Sequence, residues 1–251
     1  MASIQTASSA QITLEDPLAD LPCSSIVEHK KGQIIYRQDQ PSTGIYLVIE
    51  GRVKVARLAS DGRQTIIDLY QADDFFGESA LLGLPRRPEQ ATALEDTKVM
   101  AWTAADVGNI AQTRPTLAIA LLQIVVERSL DYGHRLESFS MDNIGRRLAR
   151  TLIRFSQRPG STAEPDGSCR MGPITHELLA QYVGTSREIV THYMNVFSRQ
   201  GYLRYSRKEI VLFRDAFDEW LCRTSRHAIK AGQAPRERVG QSHETAILKR
   251  A

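Results

Sequence analysis

The segment ITHELLAQYVGTSREIVTHYMNVFSRQGY runs from Ile174 to Tyr202 and carries the clearest structural signal in this chain. Two short amphipathic stretches lie on either side of a tight corner at Val183-Gly184-Thr185. Ala180 offers a small side chain where two helices would cross closely. The segment therefore predicts a helix-turn-helix. The apolar positions recur at helical spacing and would form a three-helix core: Leu179, Val183, Ile189, Val190, Tyr193 and Met194.

The second stretch opens with side chains that suit DNA, namely Ser186, Arg187 and Glu188. In a helix-turn-helix the second helix enters the major groove by its N-terminal end. An arginine there can bond O6 and N7 of guanine, and a glutamate can accept a bond from the N4 amine of cytosine. The alternative is an ordinary helical hairpin with a charged face, which would not explain why Ser-Arg-Glu directly follows the corner. We therefore predict that the segment binds double-stranded DNA sequence-specifically.

The segment YLRYSRKEIVLF, residues 202–213, alternates like a short β-hairpin and predicts a wing beside the helix-turn-helix. Arg204, Arg207 and Lys208 near its tip would reach phosphate groups. From Arg223 onward no packed pattern is present, and we expect the basic segment 223–251 to be loosely ordered. The residues expected to contact DNA are Thr175, Thr185, Ser186, Arg187, Glu188, His192, Arg207 and Lys208.

Residues 25–102 consist of short extended runs separated by turns. The runs include GIYLVIEGRVKVARL and ATALEDTKVMAW, and the breaks include Lys31-Gly32 and Ser60-Asp61-Gly62. An Asp-Gly pair between two extended runs is a strong hairpin signal. Many evenly spaced short strands predict an antiparallel jelly-roll or barrel.

At Thr103 the apolar period changes from that of strands to that of helices. A short helix would end before Pro115, and a long helix would run from Pro115 to about Phe139. Apolar residues recur along the long helix at alternating spacings of four and three, which is the pattern of a coiled-coil seam. A homodimer through this helix is the favoured interpretation, and burial of one broad face within a single subunit is the alternative. The expected interface residues are Leu122, Val125, Ser129, Tyr132 and Leu136.

A second helix, IGRRLARTLIRFSQ, follows, and a Pro/Gly/Ser-rich loop joins it to the helix-turn-helix. The sequence thus predicts an α+β fold with an N-terminal antiparallel β-roll (jelly-roll), a long dimerisation helix and a C-terminal winged helix-turn-helix. The expected divisions are a poorly ordered segment 1–24, a β-roll 25–113, the dimerisation helix 114–140, the DNA-binding domain 141–222 and a basic tail 223–251.

Charge is distributed unevenly along the 251 residues, although the formal net charge is only +3. Residues 1–140 hold 13 Lys and Arg against 18 Asp and Glu, whereas residues 141–251 hold 19 against 11. A basic C-terminal part suits a domain attracted to phosphate. The longest apolar run in a helical region, residues 117–126, is too short to span a bilayer, and the N-terminus lacks signal-peptide features. We therefore expect a cytoplasmic protein with no membrane contact.

The cysteines and histidines form no recognisable metal site. Cys23, Cys169 and Cys222 lie far apart, and the six histidines show no paired ligand spacing. An iron–sulfur cluster is therefore disfavoured and no metal site is predicted, whereas haem stays open because it needs a single histidine ligand. Residues 25–102 contain one histidine, His29, and no cysteine, which leaves little catalytic chemistry inside a barrel. We expect no enzyme activity.

A β-roll, a long helix and a winged helix-turn-helix in this order resemble the CRP/FNR family of bacterial transcription regulators. The resemblance covers about residues 25–220 and is carried by GIYLVIEGRVKV, FFGESALL and VGTSREIV. It implies a homodimeric regulator, an activator or a repressor, on an inverted-repeat operator. A small effector or signal at the β-roll would switch it, and RNA polymerase would be a partner of an activator. The alternative is a cyclic-nucleotide-type sensor that regulates a partner protein rather than DNA.

The resemblance also implies an effector pocket. In members that bind cyclic AMP, the backbone of the FGE turn holds the phosphate and the glutamate binds the ribose, and Gly77 and Glu78 match these positions. The pocket residues implied here are Phe76, Gly77, Glu78, Ser79, Gln90, Ala91 and Tyr132.

Two departures from the family pattern disfavour cyclic AMP and leave the effector unknown. The family's Arg-Ser-Ala is matched by residues 89–92, Glu-Gln-Ala-Thr, so the phosphate-binding arginine is absent there, and Arg86 and Arg87 lie at the wrong offset. The Thr-Ser that the dimer helix offers to adenine is matched by Tyr132-Gly133. A buried phosphate without its arginine loses a charge-assisted bond of about 1.5–3 kcal/mol.

On the DNA side, Ser186, Arg187 and Glu188 match the family's base-reading positions, and His192 replaces a final arginine. The resemblance therefore implies a G·C-containing half-site similar to TGTGA. One base of it is in doubt because histidine is a shorter and only partly charged donor.

Overall fold

The structure is a computed structural model that describes residues 25–158 and 160–232. The predicted segment 1–24 and the part of the predicted tail from residue 233 onward lie outside the described residues. An antiparallel β-roll, a long helix and a winged helix-turn-helix follow one another, which confirms the predicted α+β fold class. No helix within the described ranges combines the length and the apolar character needed to cross a membrane.

The alternating runs of the N-terminal half form two four-stranded antiparallel sheets that share one core. Valine side chains of the inner faces, such as Val48, Val53 and Val99, are 0% exposed. The strands are β1 (Ile26–His29), β2 (Ile34–Tyr36), β3 (Gly44–Glu50), β4 (Arg52–Leu58), β5 (Gln64–Gln71), β6 (Phe75–Phe76), β7 (Gln90–Ala93) and β8 (Thr97–Thr103). Their order is β1-β8-β3-β6 in one sheet and β2-β7-β4-β5 in the other.

The corner between β3 and β4 requires glycine. Gly51 has a φ of 89°, in the left-handed region that L-residues rarely adopt. A Cβ atom there would lie 2.5 Å from Oγ1 of Thr97 and 2.6 Å from the carbonyl oxygen of Asp96. The Glu-Gly corner of the GIYLVIEG motif is therefore fixed by close backbone packing.

Three helices follow the roll: α1 (Ala104–Thr113), α2 (Pro115–Met141) and α3 (Ile144–Ser156). Thr103 and Asp106 form a capping box at the start of α1, and a proline at the first position starts α2. One stripe of α2 packs on the roll, because Leu117 is buried and Leu121 and Ile124 contact its second apolar cluster. The predicted short helix, long helix and following helix are all present.

The C-terminal unit contains the predicted helix-turn-helix and wing, together with two strands that the sequence did not predict. Its elements are β9 (Thr162–Ala163), β10 (Ser168–Met171), α4 (His176–Val183), α5 (Arg187–Arg199), β11 (Leu203–Tyr205), β12 (Ile210–Phe213) and α6 (Arg214–Gly232). The segment expected to be a loop before the helix-turn-helix supplies β9 and β10. Strand β10 pairs with β12, which extends the wing to a four-stranded sheet, β11-β12-β10-β9.

The domain boundary predicted at residue 222 falls inside α6, which continues to Gly232. Phe217 and Leu221 of this helix are buried in the core of the DNA-binding domain. The hydroxyl of Thr224 accepts a bond of 2.6 Å from Arg146 of α3, so packing continues past residue 222. Residues 223–232 of the predicted basic tail thus belong to α6, and Thr224 is the residue among them that contacts α3.

The DNA-binding domain docks on β5 of the roll through a buried ionic cluster. Asp68, 2% exposed, accepts bonds from Arg158 (2.7 Å) and Arg154 (3.3 Å). Arg154 also pairs with Asp131 of α2 (2.7 Å) and donates to the hydroxyl of Tyr182 of α4 (2.7 Å). Burial alone would raise the pKa of Asp68, but the charges of Arg158 and Arg154 outweigh it and hold this pKa below its ordinary value. The cluster thus connects β5, α2, α3 and α4.

Candidate DNA-binding surface and effector pocket

The corner between α4 and α5 is closed by two main-chain bonds. The N–H groups of Gly184 (2.9 Å) and Thr185 (3.0 Å) both donate to the carbonyl oxygen of Ala180. Gly184 has a φ of 74°, and a Cβ atom there would lie 2.9 Å from a ring carbon of Phe139. The corner therefore needs glycine, and it contacts the C-terminal end of α2.

The N-terminal end of α5 presents polar side chains to solvent. Ser186 caps the helix, since its hydroxyl accepts a bond of 3.4 Å from the N–H of Ile189. Arg187 and Glu188 are exposed, and so is His192 one helical turn further on. Hydrogen bonds from its own N–H and from Ser186 lower the pKa of Glu188. A hydroxyl, a guanidinium and a carboxylate thus lie together on an open helix end.

The core of the DNA-binding domain fixes the direction of this exposed face. Val190, Met194 and Phe197, on the opposite side of α5, are each 0% exposed. Leu179 and Val183 of α4 pack in the same cluster, as the sequence predicted. Ile189 is an exception, because it is 37% exposed although we expected it in the core. It lies between Glu188 and Val190, at the border between the core and the open face.

The N-terminus of α4 adds one residue that the sequence analysis missed. Thr175 caps α4, because its hydroxyl accepts a bond of 3.1 Å from the N–H of Leu178. The missed residue is His176, which follows Thr175. Nδ1 of His176 lies 2.8 Å from Oγ1 of Thr191 on α5, and its ring is 5.3 Å from the ring of Tyr205 on β11. Burial, with a smaller effect of a nearby arginine charge, lowers the pKa of His176. His176 therefore joins both helices and the wing, a link that no local sequence pattern indicates.

The predicted wing tip carries two exposed cations. Arg207 and Lys208 lie in the turn between β11 and β12, and within the described residues neither forms an ion pair. Ser206 closes this turn, because its hydroxyl accepts bonds from the N–H groups of Lys208 (3.1 Å) and Glu209 (3.3 Å). Arg204 is exposed on β11, with its guanidinium 5.4 Å from the ring of Phe213.

In the β-roll, aromatic side chains fill the interior beside the turn Phe76-Gly77-Glu78. This turn, called the effector turn below, belongs to the effector pocket that the family resemblance implies. The ring of Phe76, 0% exposed, lies 5.1 Å from that of Tyr46, 5.7 Å from that of Tyr70 and 6.1 Å from that of Tyr36. Ala91 is buried in the same cluster. Gln90 lies outside this cluster, because successive strand residues point to opposite faces of a sheet. Its side-chain amide donates to the hydroxyl of Thr92 on its own face. The structure therefore separates Gln90 from the other predicted pocket residues.

Arg87 reaches the effector turn, contrary to the sequence expectation that its offset was wrong. It is 1% exposed, and its guanidinium donates to the carbonyl oxygens of Gly77 (2.9 Å) and Gly44 and to the hydroxyl of Ser79 (3.3 Å). The guanidinium also lies 4.1 Å from the ring of Tyr36. The same hydroxyl donates to the carboxylate of Glu89 at 2.7 Å. Ser79 thus bridges a buried cation and an anion of the chain itself.

The other predicted pocket residues contact the long helix. Glu78 pairs with Arg128 of α2 at 3.0 Å, and the Arg128 guanidinium lies 4.7 Å from the ring of Tyr70. Tyr132 of α2 is in hydrogen-bond contact with Tyr70, and burial raises the pKa of Tyr132. The turn that carries Gly77 and Glu78 is therefore tied directly to α2.

Along α2, a row of apolar side chains lies uncovered in the single chain. Leu122 is 62% exposed, Val125 44% and Leu136 70%, and Ser129 is exposed between them. Tyr132 is partly buried against the roll. Exposed large apolar side chains along one face of a helix are characteristic of an interaction surface.

Two family models match the chain. The Cyclic nucleotide-binding domain matches residues 26–114, and the Crp-like helix-turn-helix domain matches residues 146–216, so that together they cover more than half of the chain. The CRP-like cAMP-activated global transcriptional regulator of Mycobacterium tuberculosis is 26% identical over 187 residues, 74% of this chain and 83% of that protein. The cAMP-activated global transcriptional regulator Vfr of Pseudomonas aeruginosa is 27% identical over 187 residues, 73% and 86% of the two chains.

Solved structures agree with these relatives. A CRP/FNR family transcriptional regulator from Thermus thermophilus superposes with a TM-score of 0.60 at 27% identity, covering 79% of this chain and 98% of that one. FixK2 from Bradyrhizobium japonicum superposes with a TM-score of 0.67 at 22% identity, covering 78% of this chain and 96% of that one. At this identity the similarity supports the fold alone. With both domains matched in the order β-roll, long helix and winged helix-turn-helix, the chain belongs to the CRP/FNR family of DNA-binding transcription regulators.

Proposed function

We propose that this regulator acts in the cytoplasm as a homodimer that binds a short inverted repeat and has no catalytic role. DNA-binding transcription regulation follows from its family. The dimer, the operator and the residues that read it are the proposal. In an activator of this kind, RNA polymerase would be a further partner.

The observation that carries the proposal is the open N-terminal end of α5. Ser186, Arg187 and Glu188 are exposed there, while the opposite face of the helix is buried in the domain core. A helix presented in this way can enter the major groove, about 12 Å wide, by its N-terminal end. Arg187 would then bond a guanine and Glu188 a cytosine, while Arg207 and Lys208 of the wing contact phosphates.

The uncovered row on α2 supports the homodimer. Pairing Leu122, Val125 and Leu136 with the same row of a second copy would remove three exposed apolar side chains of each copy from water. Two-fold symmetry of the protein then requires two-fold symmetry of the operator, because each half-site meets the same recognition helix.

Selection of binding sites from random-sequence DNA tests the proposal. We expect enrichment of an inverted repeat whose half-sites contain G·C pairs. Failure to enrich any motif would contradict DNA reading by α5 and would favour a sensor that regulates a partner protein.

We further propose that Glu89 acts as an internal anion at the effector turn, so that cyclic AMP is not the effector. Its carboxylate shares the Ser79 hydroxyl with Arg87, at 2.7 Å and 3.3 Å. A phosphate placed at this turn would meet the negative charge of Glu89 and would have to displace it. The relatives named as cAMP-activated are 26–27% identical to this chain, which leaves room for a different ligand at this turn.

DNA-binding titrations with and without 3′,5′-cyclic AMP test this second proposal. We expect the affinity of the natural sequence for its selected site to change by less than about twofold, because a ligand without differential affinity shifts no equilibrium. Glu89→Gln removes the negative charge and keeps the shape, so a response to cyclic AMP is expected to be larger in this variant. A strong rise in affinity of the natural sequence on addition of cyclic AMP would contradict the proposal.

A further inference from the structure

A cavity of about 340 Å³ lies between the C-terminal half of α2, the helix α3 and the helix-turn-helix. It is separate from the effector turn of the roll and from the exposed end of α5. Its walls include Phe139 of α2, Thr151 of α3 and Tyr182 and Val183 of α4. The volume falls within the range of pockets that hold small organic ligands, roughly 300–1,000 Å³.

Four arginines and four carboxylates line this cavity. The arginines are Arg135, Arg147, Arg150 and Arg154. Arg135 donates to the main-chain carbonyl oxygens of residues 66 and 67 rather than to a carboxylate. Arg147 forms no ion pair within the described ranges and stacks on the ring of Phe139 at 4.6 Å.

Two of the four carboxylates around the cavity already pair with arginines. Asp142 accepts bonds of 2.8 Å from both Arg146 and Arg150. Asp131 pairs with Arg154 at 2.7 Å. Two further carboxylates, Glu137 and Asp218, line the cavity but are exposed, and neither pairs with an arginine among the described residues. Of the lining arginines, Arg135 and Arg147 are therefore the two that no carboxylate of the described residues pairs with.

Two of the lining arginines have an unused donor. The Nε atoms of Arg147 and Arg154 are buried, and within the described part of the chain neither has a hydrogen-bond partner. A buried donor without an acceptor costs about 1–3 kcal/mol relative to a satisfied one. An acceptor-rich ligand in the cavity would remove this cost.

The cavity stays open when α2 forms the proposed dimer. Its walls include Asp131, Arg135 and Ser138 of α2 and Asp142 directly after it, which recur every three or four residues on one face. At about 100° per residue, this face points roughly a third of a turn away from the row that contains Leu122 and Leu136. A partner helix on that row would therefore lie beside the cavity rather than in it.

We propose that this cavity binds a small polyanion that carries phosphate or carboxylate groups. Arg147 would supply the unpaired charge, and guanidinium groups match such groups with two parallel bonds. Phe139 and Tyr182 would contact the apolar part of the ligand. A bound anion would contact the end of α2 and the last residues of α4 at once, next to the corner at Gly184.

Calorimetric titration of the full chain, without DNA, tests this site with inorganic pyrophosphate and with citrate as probes. We expect saturable binding of one anion per subunit, and the stronger probe identifies the phosphate or the carboxylate class. Arg147→Gln is expected to weaken binding at least about tenfold, the effect of losing one charge-assisted contact. Arg187→Gln is the matched control, because it removes an arginine from the DNA-binding face, and it should leave anion affinity unchanged.

Arg147→Lys keeps the positive charge but loses the planar guanidinium group with its parallel donors. Its anion affinity provides a second test if Arg147→Gln does not fold. We expect an intermediate loss of affinity in this variant. Equal anion affinity in the natural sequence and in both Arg147 variants would overturn the proposal. It would also be overturned if Arg187→Gln abolished anion binding, or if the Arg147 variants lost DNA affinity but no anion affinity. The last result would make Arg147 a contact to the DNA backbone.

Discussion

At the scale of single residues, Arg187 has the most specific role in this account. It is the first residue of α5, it is exposed, and the cap at Ser186 directs its N-terminal turn away from the domain core. A guanidinium in this place can make two bonds to one guanine, which a lysine or glutamine cannot reproduce with the same geometry.

Arg187→Ala is therefore expected to cost about 1–3 kcal/mol on the selected operator and to relax the preference at one G·C pair. Arg207→Ala is the comparison variant, because a wing cation that contacts only phosphate should weaken specific and random DNA to the same extent. Fluorescence anisotropy on both DNAs measures the two effects. Equal losses on specific and random DNA for Arg187→Ala would place this residue on the backbone instead.

Some site residues could be predicted from the sequence and others could not. Ser186, Arg187 and Glu188 could be assigned because helix capping and helix polarity are local properties. Arg87 could not, since its contacts are to Gly44, Gly77 and Ser79, and the sequence offset gave no sign that its side chain turns inward. His176 was missed for the same reason, because its partners lie on α5 and β11.

At the scale of elements, the corner between α4 and α5 sets the geometry of the helix-turn-helix. Gly184 combines a positive φ with a ring carbon of Phe139 at 2.9 Å from the place of a Cβ atom. Gly201, after α5, has a similar φ of 77° but no neighbouring atom within 4 Å of that place. Comparing alanine substitutions at Gly184 and Gly201 therefore separates the cost of the backbone conformation from the cost of the close contact with Phe139.

We expect Gly201→Ala to lower the free energy of unfolding by about 1–2 kcal/mol, the cost of a left-handed conformation for an L-residue. Gly184→Ala should cost clearly more, because it also displaces Phe139 from the corner. Urea denaturation followed by circular dichroism measures both values. Equal losses in the two variants would mean that the contact with the end of α2 contributes nothing to stability.

The long helix α2 gives a second prediction at this scale. Leu136→Glu places a charge in the exposed apolar row and should convert the dimer to a monomer, because the charge would be buried without a partner in the interface. Ile26→Glu is the control, since Ile26 is 53% exposed on β1, away from α2. Sedimentation at several protein concentrations measures the fraction of dimer in each variant. A dimer that survives Leu136→Glu would contradict pairing through this row.

Elements with a strong local period were predictable, and elements that depend on tertiary pairing were not. The helix-turn-helix, the wing and the long helix each have a clear apolar period. Strands β9 and β10 are short, and β10 is recognisable only through its pairing with β12. The continuation of α6 past residue 222 likewise depends on packing against α3, seen in the bond between Arg146 and Thr224.

At the scale of the whole molecule, the cluster around Asp68 couples the roll to the DNA-binding domain. The carboxylate is buried, and its partners belong to a domain more than 80 residues further along the chain. Removing one partner of a buried ion pair leaves the remaining charges uncompensated, which is more costly than losing an exposed pair. The cluster therefore joins β5 of the roll directly to α3 and to the residues that follow it.

Asp68→Asn is expected to lower the free energy of unfolding by about 3–5 kcal/mol at neutral pH. Asp61→Asn, which affects an exposed pair with Arg63, should change it far less, because water screens that pair. The pKa of Asp68 is lowered in the folded state, so its contribution is complete above the ordinary value and is lost as the pH falls through the lowered one. The difference between the natural sequence and Asp68→Asn should therefore shrink only below about pH 4.

Urea denaturation at neutral and acid pH measures this dependence. A difference that disappeared already near pH 6 would contradict the depressed pKa of Asp68. A neutral-pH loss no larger than that of Asp61→Asn would contradict the role of the cluster in joining the two domains.

The central claim is that two copies of α5, held by a dimer of α2 helices, read two half-sites of one operator. Hydroxyl-radical footprinting on the selected operator tests it most directly. The account predicts two protected patches on the same face of the DNA, with centres about 10–10.5 base pairs apart. A single protected half-site, or protection without a preferred sequence, would contradict it.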